Sequence, residues 1–151
     1  MITLAEAVLG MAARRWGAVL LVALSLVLFL PGFFALPPLD RDEARFAQSS
    51  RQMVASGDLI DIRFQDEPRY KKPVGIYWLQ AATVALTGPE AAPIWKYRLP
   101  SLIAAIASVL LTARIARLFA GPQAGLIAGL LMAGVFSLGI EARLANTDAM
   151  L

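Results

Sequence analysis

Asp42 and Glu43 stand side by side in Asp40-Arg41-Asp42-Glu43-Ala44-Arg45, just after a long uncharged run. A carboxylate partly withdrawn from water at a bilayer surface can act as a general base, an effect of about 10²–10⁴ in rate. Adjacent helical positions diverge by about 100°, so the two acids cannot face one substrate atom together. One can point into a cavity while the other pairs outward, for instance Asp42 with Arg45 at i,i+3. The plain alternative is that both acids serve the helix start, where negative charge suits the dipole. Asp40-Arg41-Asp42 also spells D-x-D, and oxygen ligands of that kind would favour Mg²⁺, Mn²⁺ or Ca²⁺. Three letters after an apolar run leave a divalent metal open.

Arg69-Tyr70-Lys71-Lys72-Pro73 is the second candidate. Two ammonium groups and a guanidinium beside Tyr70 can hold a phosphate at the membrane edge. An interfacial patch attracted to anionic headgroups reads equally well. Arg143 and Asp148, near the end of the chain, form the third; alone, Asp148 is an ordinary loop acid. With no Cys and no His, the chain can build neither a disulfide, a thiolate or His-ligated metal site, nor a Ser–His or Cys nucleophile. Acid–base chemistry therefore rests on Asp and Glu, with Lys and Arg as electrostatic partners. No G-x-x-x-x-G-K-[ST] or G-x-G-x-x-G occurs, and the net charge of +3 includes no basic run of the kind nucleic acid needs.

The elements that must hold these residues look made for lipid. Apolar residues are 58% of the 151, unevenly spread and above the globular norm of about 45–50%. The fold class expected is an all-α integral membrane protein with three transmembrane helices plus interfacial helices. Residues 16–36 are uncharged and long enough for the hydrocarbon core of about 30 Å. Pro31 would kink the far end of that span, and Pro37-Pro38 stop it. Residues 99–118 form a second span, broken only by Arg114 and Arg117, with Pro100 as a good first residue. A turn at 119–122 leads to a third span over 123–140, whose Gly121, Gly125 and Gly129 form a small-residue stripe continued by Ala133.

Between the first two spans lies the 37–98 loop. Asp40 or Asp42 caps a helix running to about Ser56, with Phe46, Ser50, Met53 and Val54 on one face toward lipid or protein and Gly57 as terminator. Leu59–Phe64 reads as irregular, Asp66-Glu67-Pro68 as a turn, and 74–86 as a short apolar helix with Tyr77 and Trp78 at headgroup level. Arg14, Arg15, Arg114 and Arg117 at the short connections put residues 1–15 and the 119–122 turn in the cytoplasm, and the 37–98 loop outside. Residues 141–151 then begin a second outer loop. The chain stops inside it, which reads as the front part of a longer protein.

Asp42-Glu43-Ala44-Arg45-Phe46-Ala47, Met53-Val54-Ala55-Ser56-Gly57-Asp58, Tyr70-Lys71-Lys72-Pro73-Val74 with Tyr77-Trp78, and Glu141-Ala142-Arg143 with Thr147-Asp148 follow one another in order. Together they resemble the amino-terminal part of membrane glycosyltransferases of the C-type fold, nearest the aminoarabinose–lipid A transferases, relatives of the protein O-mannosyltransferases. The resemblance implies a bacterial inner-membrane enzyme with a polyprenyl-phosphate sugar donor, a lipid or protein acceptor, contact with membrane lipids and no nucleic acid. It implies Asp42 as the candidate base, with Glu43 and Asp148 as further catalytic acids and Lys72 as the contact to the donor phosphate. Arg45, Arg69, Tyr70, Lys71 and Arg143 join the expected substrate-binding set. Two departures leave the sugar open: Lys71 where aminoarabinose transferases usually have Glu, and Phe46 where they often have Tyr. The rival class is a non-catalytic lipid-binding or transport component, or an inactive fragment. Tolerance of Asp42→Asn would tell the two classes apart.

Overall fold

In a computed structural model the chain is described over residues 16–88 and 93–148, which fall into two compact units. One comprises residues up to Pro31 together with Ala105–Ile140, and the other Gly32–Ala104 together with the residues from Glu141 onward. The basic lead at 1–15 with Arg14-Arg15, the middle of the 88–98 connection and the end at 149–151 lie outside the described residues.

The first unit is apolar and helical. Helix α1 is Gly17–Phe29, 13 residues rather than the full run from 16 to 36. At 1.5 Å per residue it covers about 20 Å, short of the hydrocarbon thickness. It ends early because Pro31 has no N–H to continue the ladder; Leu30 closes it by donating to the Leu26 carbonyl. The long helix is Ile94–Ala133, 40 residues with a break at Gly121, whose φ of 88° and ψ of 178° are non-helical. It is α4 in chain order. Gly121 is thus the kink, not part of a contact stripe, and Pro122 starts the second arm. Gly125 and Gly129 do allow close approach: a Cβ on Gly129 would lie 2.5 Å from Leu21 Cδ1, and one on Gly125 would lie 2.7 Å from the Ala113 carbonyl oxygen. The second arm stops at Ala133, and after Gly134-Val135 a six-residue helix α5, Phe136–Glu141, resumes. Among the described residues one helix, Ile94–Ala133, is long and apolar enough to cross a membrane. Val19, Leu20, Val27, Leu118, Phe119 and Leu131 are exposed, an apolar surface of the kind that marks a membrane or protein contact.

The second unit is built on α2, Arg41–Ser56, packed against α3, Gly75–Thr87. Asp40 is the extended residue before α2, though its side chain makes no cap bond; Gly57, at φ 72°, ends the helix with its N–H on the Met53 carbonyl. The buried face of α2 meets protein: Phe46 and Met53 pack with Ile62, Ile76, Tyr77 and Ala81. Tyr77 is therefore a core residue, not a headgroup anchor. Trp78 is half-exposed and donates its indole N–H to the Leu59 carbonyl at 2.7 Å.

Between α2 and α3 the chain forms a short hairpin, β1 at Arg63–Phe64 paired antiparallel with β2 at Glu67–Pro68. The turn falls at Gln65-Asp66, with Gln65 at φ 58°, one residue earlier than its Asp and Pro signals indicate. The Gln52 amide fixes it, donating to the Gln65 carbonyl at 2.9 Å and accepting the Gln65 N–H at 2.8 Å. A side-chain amide about three turns into a helix thus stands in for a third strand.

Helix α4 begins at Ile94, so Pro100 lies inside it rather than at its start. Without an N–H, Pro100 leaves the Lys96 carbonyl four residues back without its helical donor. The Thr83 hydroxyl lies 2.8 Å from that oxygen and 2.8 Å from the Gln80 carbonyl. One hydroxyl carries one proton, and Gln80 already has a helical partner within α3, so the proton belongs to Lys96. Lys96 in turn caps α3, donating from Nζ to the Thr87 and Gly88 carbonyls at 3.0 and 2.6 Å.

Candidate active site at the start of α2

The site rests on a buried ion pair. Pro37 and Pro38 have no N–H and hold the chain extended, so the carbonyls of residues 33–37 have no ladder to join. Arg98, fully buried on the first turns of α4, takes them: Nη1 donates to the Phe33 and Leu36 oxygens and Nη2 to the Pro37 oxygen, at 2.9–3.0 Å. Its remaining N–H groups meet Glu43 as a fork, Nε to Oε1 at 2.7 Å and Nη2 to Oε2 at 3.2 Å. All five guanidinium donors are thereby used. Glu43 is buried too, and also accepts the Leu39 N–H at 2.9 Å and the Ala145 N–H at 3.1 Å. With both oxygens filled and no exposure, Glu43 has no face for a substrate. The expectation that it is a catalytic acid gives way to a positioning role.

The Ala145 bond brings the second charged stretch to the first. Gln80 reinforces it, accepting from the Ser50 hydroxyl at 2.7 Å and donating to the Ala145 carbonyl at 3.3 Å. The Ser101 hydroxyl donates to the Asn146 carbonyl at 3.2 Å, and the Asn146 amide donates to Glu141 at 2.8 Å. Asp148 is exposed, with its N–H on Asn146 Oδ1 and one oxygen accepting from the Thr147 hydroxyl. It is held three residues from the contact that Ala145 makes with Glu43. Arg143 lies partly buried on the same segment. Sequence reasoning missed Arg98, Gln80 and Ser101. The available signals were a charge at the lip of an apolar run and a lone amide inside an apolar helix.

Asp42, the next residue, is turned the other way. Its side chain is half-exposed, and Oδ1 lies 3.2 Å from Arg45 Nη1 and 3.4 Å from Arg69 Nη2. The i,i+3 pairing read from the sequence is present, and Arg69 joins it from beyond the hairpin. Oδ2 has no hydrogen bond among the described residues. Arg69 is nearly buried, 5.8 Å above the Phe46 ring centroid, which in turn packs on Tyr77 at 5.3 Å. Its Nε and the Tyr77 hydroxyl are buried and without partners among the described residues. Burial pushes the Tyr77 phenol above its usual range, and the Arg69 charge opposes that shift.

Tyr70 does not join this group. Its hydroxyl donates to Asp61, a bond that raises the phenol's pKa and, with Arg63 at 2.8 Å, holds the Asp61 carboxyl below its usual value. Lys71 and Lys72 follow directly in the chain, both exposed, with no ion pair or hydrogen bond among the described residues. The structure thus collects Asp42, Arg45 and Arg69, leaves the ammonium groups two and three residues after Arg69 exposed, and ties the Asp148 segment to the neighbouring Glu43. Among the described residues no three acids converge as a metal cage, and Asp40 stands exposed outside the group.

The chain is similar to known proteins in sequence and in fold. An enzyme of Pseudomonas paraeruginosa named undecaprenyl phosphate-alpha-4-amino-4-deoxy-L-arabinose arabinosyl transferase is 34% identical over 131 residues, covering 82% of this chain and 23% of its own. A Pseudomonas fluorescens protein named as such a transferase is 32% identical over 142 residues, 89% of this chain and 24% of its own. The crystal structure of ArnT from Cupriavidus metallidurans in the apo state matches with a TM-score of 0.80 at 27% identity, over 92% of this chain and 25% of that one. The chain therefore spans about a quarter of the length of these relatives. Residues 71–151, from the free lysines through the Asp148 segment, match the family described as dolichyl-phosphate-mannose-protein mannosyltransferase. By that match over more than half its length, and by a fold shared with ArnT, the chain belongs to this family of membrane glycosyltransferases.

Proposed function

We propose that the protein transfers a sugar from a polyprenyl-phosphate donor to a hydroxyl or phosphate of a lipid or protein acceptor, at the outer face of a bacterial inner membrane. The observation that carries the reading is Asp42: a half-exposed carboxylate with one oxygen held by two guanidinium groups, one of which, Arg69, begins the basic stretch that runs on to Lys71 and Lys72. The acceptor oxygen attacks the anomeric carbon, Asp42 orients it or takes its proton, and the bond from that carbon to the phosphate oxygen breaks with inversion. The electron pair leaves on the polyprenyl phosphate, where Lys72, with Lys71 and Arg69, stabilises the charge as it develops. Asp148 and Arg143, on the segment tied to Glu43, join as a further catalytic acid and a substrate-binding cation. The named relatives support an undecaprenyl-phosphate aminoarabinose donor; Lys71 and Phe46 are the positions that bear on the choice of sugar.

The orientation and the multi-pass arrangement belong to the same proposal. The whole net charge of +3 comes from Arg14, Arg15, Arg114 and Arg117 against Glu6, while the other ten bases and ten acids cancel. That asymmetry supports a cytoplasmic lead and Gly121 turn, with the Asp42 loop outside. In the full-length protein, Asp42→Asn should reduce transfer from an undecaprenyl-phosphate sugar by about 10²–10⁴ while membrane insertion is unchanged. Normal turnover by that variant would favour the non-catalytic, lipid-binding reading instead.

A further inference from the structure

We infer that the apolar unit carries a binding site for an anionic phospholipid, built on Arg114 and Arg117. A groove of about 470 Å³ is lined by Ala18 and Leu21 of α1, by Leu118 and Leu126 on the two arms of α4, and by both arginines. That volume lies in the range of small-ligand pockets, roughly 300–1,000 Å³. Arg114 and Arg117, three residues apart, are neighbours on the helix surface, and neither makes an ion pair or hydrogen bond among the described residues.

The charge pattern names the occupant. Residues 16–31 and 105–140 contain no Asp or Glu, and Arg114 and Arg117 are their only charged side chains. Within the unit, no carboxylate can meet the two exposed guanidinium groups beside the apolar groove. The amino-terminal lead is itself net positive, Arg14 and Arg15 outweighing Glu6. A second copy would set two more arginines against these two. A free phosphate would leave the apolar lining uncovered. A phospholipid with a net negative headgroup satisfies both halves, its phosphate across the guanidinium pair and its chain along Leu21, Leu118 and Leu126. Arginines that merely snorkel to the interface would attract headgroups without selecting or retaining one.

Native mass spectrometry of the delipidated full-length protein tests this, with dioleoyl phosphatidylglycerol and dioleoyl phosphatidylcholine as probes. The wild type should retain phosphatidylglycerol about tenfold or more tightly than phosphatidylcholine. Arg114→Gln with Arg117→Gln should erase that preference. Ala18→Phe, which fills the groove at an exposed position and keeps both charges, should weaken retention of phosphatidylglycerol as well. Equal retention of the two lipids by the wild type would overturn the site, as would a preference that survives either variant. So would a wild type that takes no lipid because another segment or a second copy fills the groove. Because sugar transfer is not the readout, the result stands apart from the proposed reaction.

Discussion

Asp42 and Glu43 are neighbours in sequence and opposites in structure. Glu43 is buried, with both oxygens filled and a fork to an equally buried Arg98. Asp42 is half in water, with one oxygen shared between two arginines and the other without a protein partner among the described residues. The difference shows where charge is structural and where it is available. A saturated buried pair has no bonding capacity left for a substrate, while a half-paired carboxylate does. Helical geometry produces the split, because consecutive residues point about 100° apart and only one of two adjacent acids can enter the core.

The comparison can be broken from either side. The largest effect expected is on turnover, from Asp42→Asn as given above, with the fold intact. On the structural side, Arg98→Ala leaves the Glu43 charge and the Phe33, Leu36 and Pro37 carbonyls buried without partners. Losing one member of a buried pair costs about 3–5 kcal/mol, so the thermal midpoint should drop steeply and the 141–148 segment become open to protease. A midpoint unchanged within a degree or two would mean the pair does not hold the unit. Lys72→Ala should raise the KM for a polyprenyl-phosphate donor by about tenfold, the loss of one charge-assisted contact worth roughly 1.5 kcal/mol. An unchanged KM and kcat would remove Lys72 from the phosphate. Thr83→Val should leave turnover untouched and lower stability alone, by about 1–3 kcal/mol, because it strands the Lys96 carbonyl opposite Pro100.

The polar side of the site was partly legible in the sequence. The Asp42–Arg45 pair, the α2 face with Phe46 and Met53, and the glycine stop at Gly57 all follow from helical spacing and left-handed φ. What connects them was not. Arg98 lies 55 residues from Glu43, and nothing local tells a snorkelling arginine from one that closes a core. The hairpin went unread because its two-residue strands are shorter than any alternation can show, and because Gln52, well upstream, holds the turn. In the apolar unit, hydropathy located the runs but not their helices. Pro31 trims the first to 13 residues, Gly121 breaks the long helix, and Thr83 lets that helix run through Pro100. Each outcome depends on a single residue whose effect is set by its neighbours in space.

The central claim is that the Asp42 carboxylate does the chemistry and the Glu43 carboxylate holds the architecture. Parallel measurement of sugar-transfer rate and thermal midpoint for Asp42→Asn and Glu43→Gln in the full-length protein tests it most directly. The account predicts that Asp42→Asn loses transfer at an unchanged midpoint. Glu43→Gln should lower the midpoint, because its amide N–H₂ turns toward buried donors. An Asp42→Asn protein that turns over normally, or a Glu43→Gln protein that loses transfer at full stability, would contradict it.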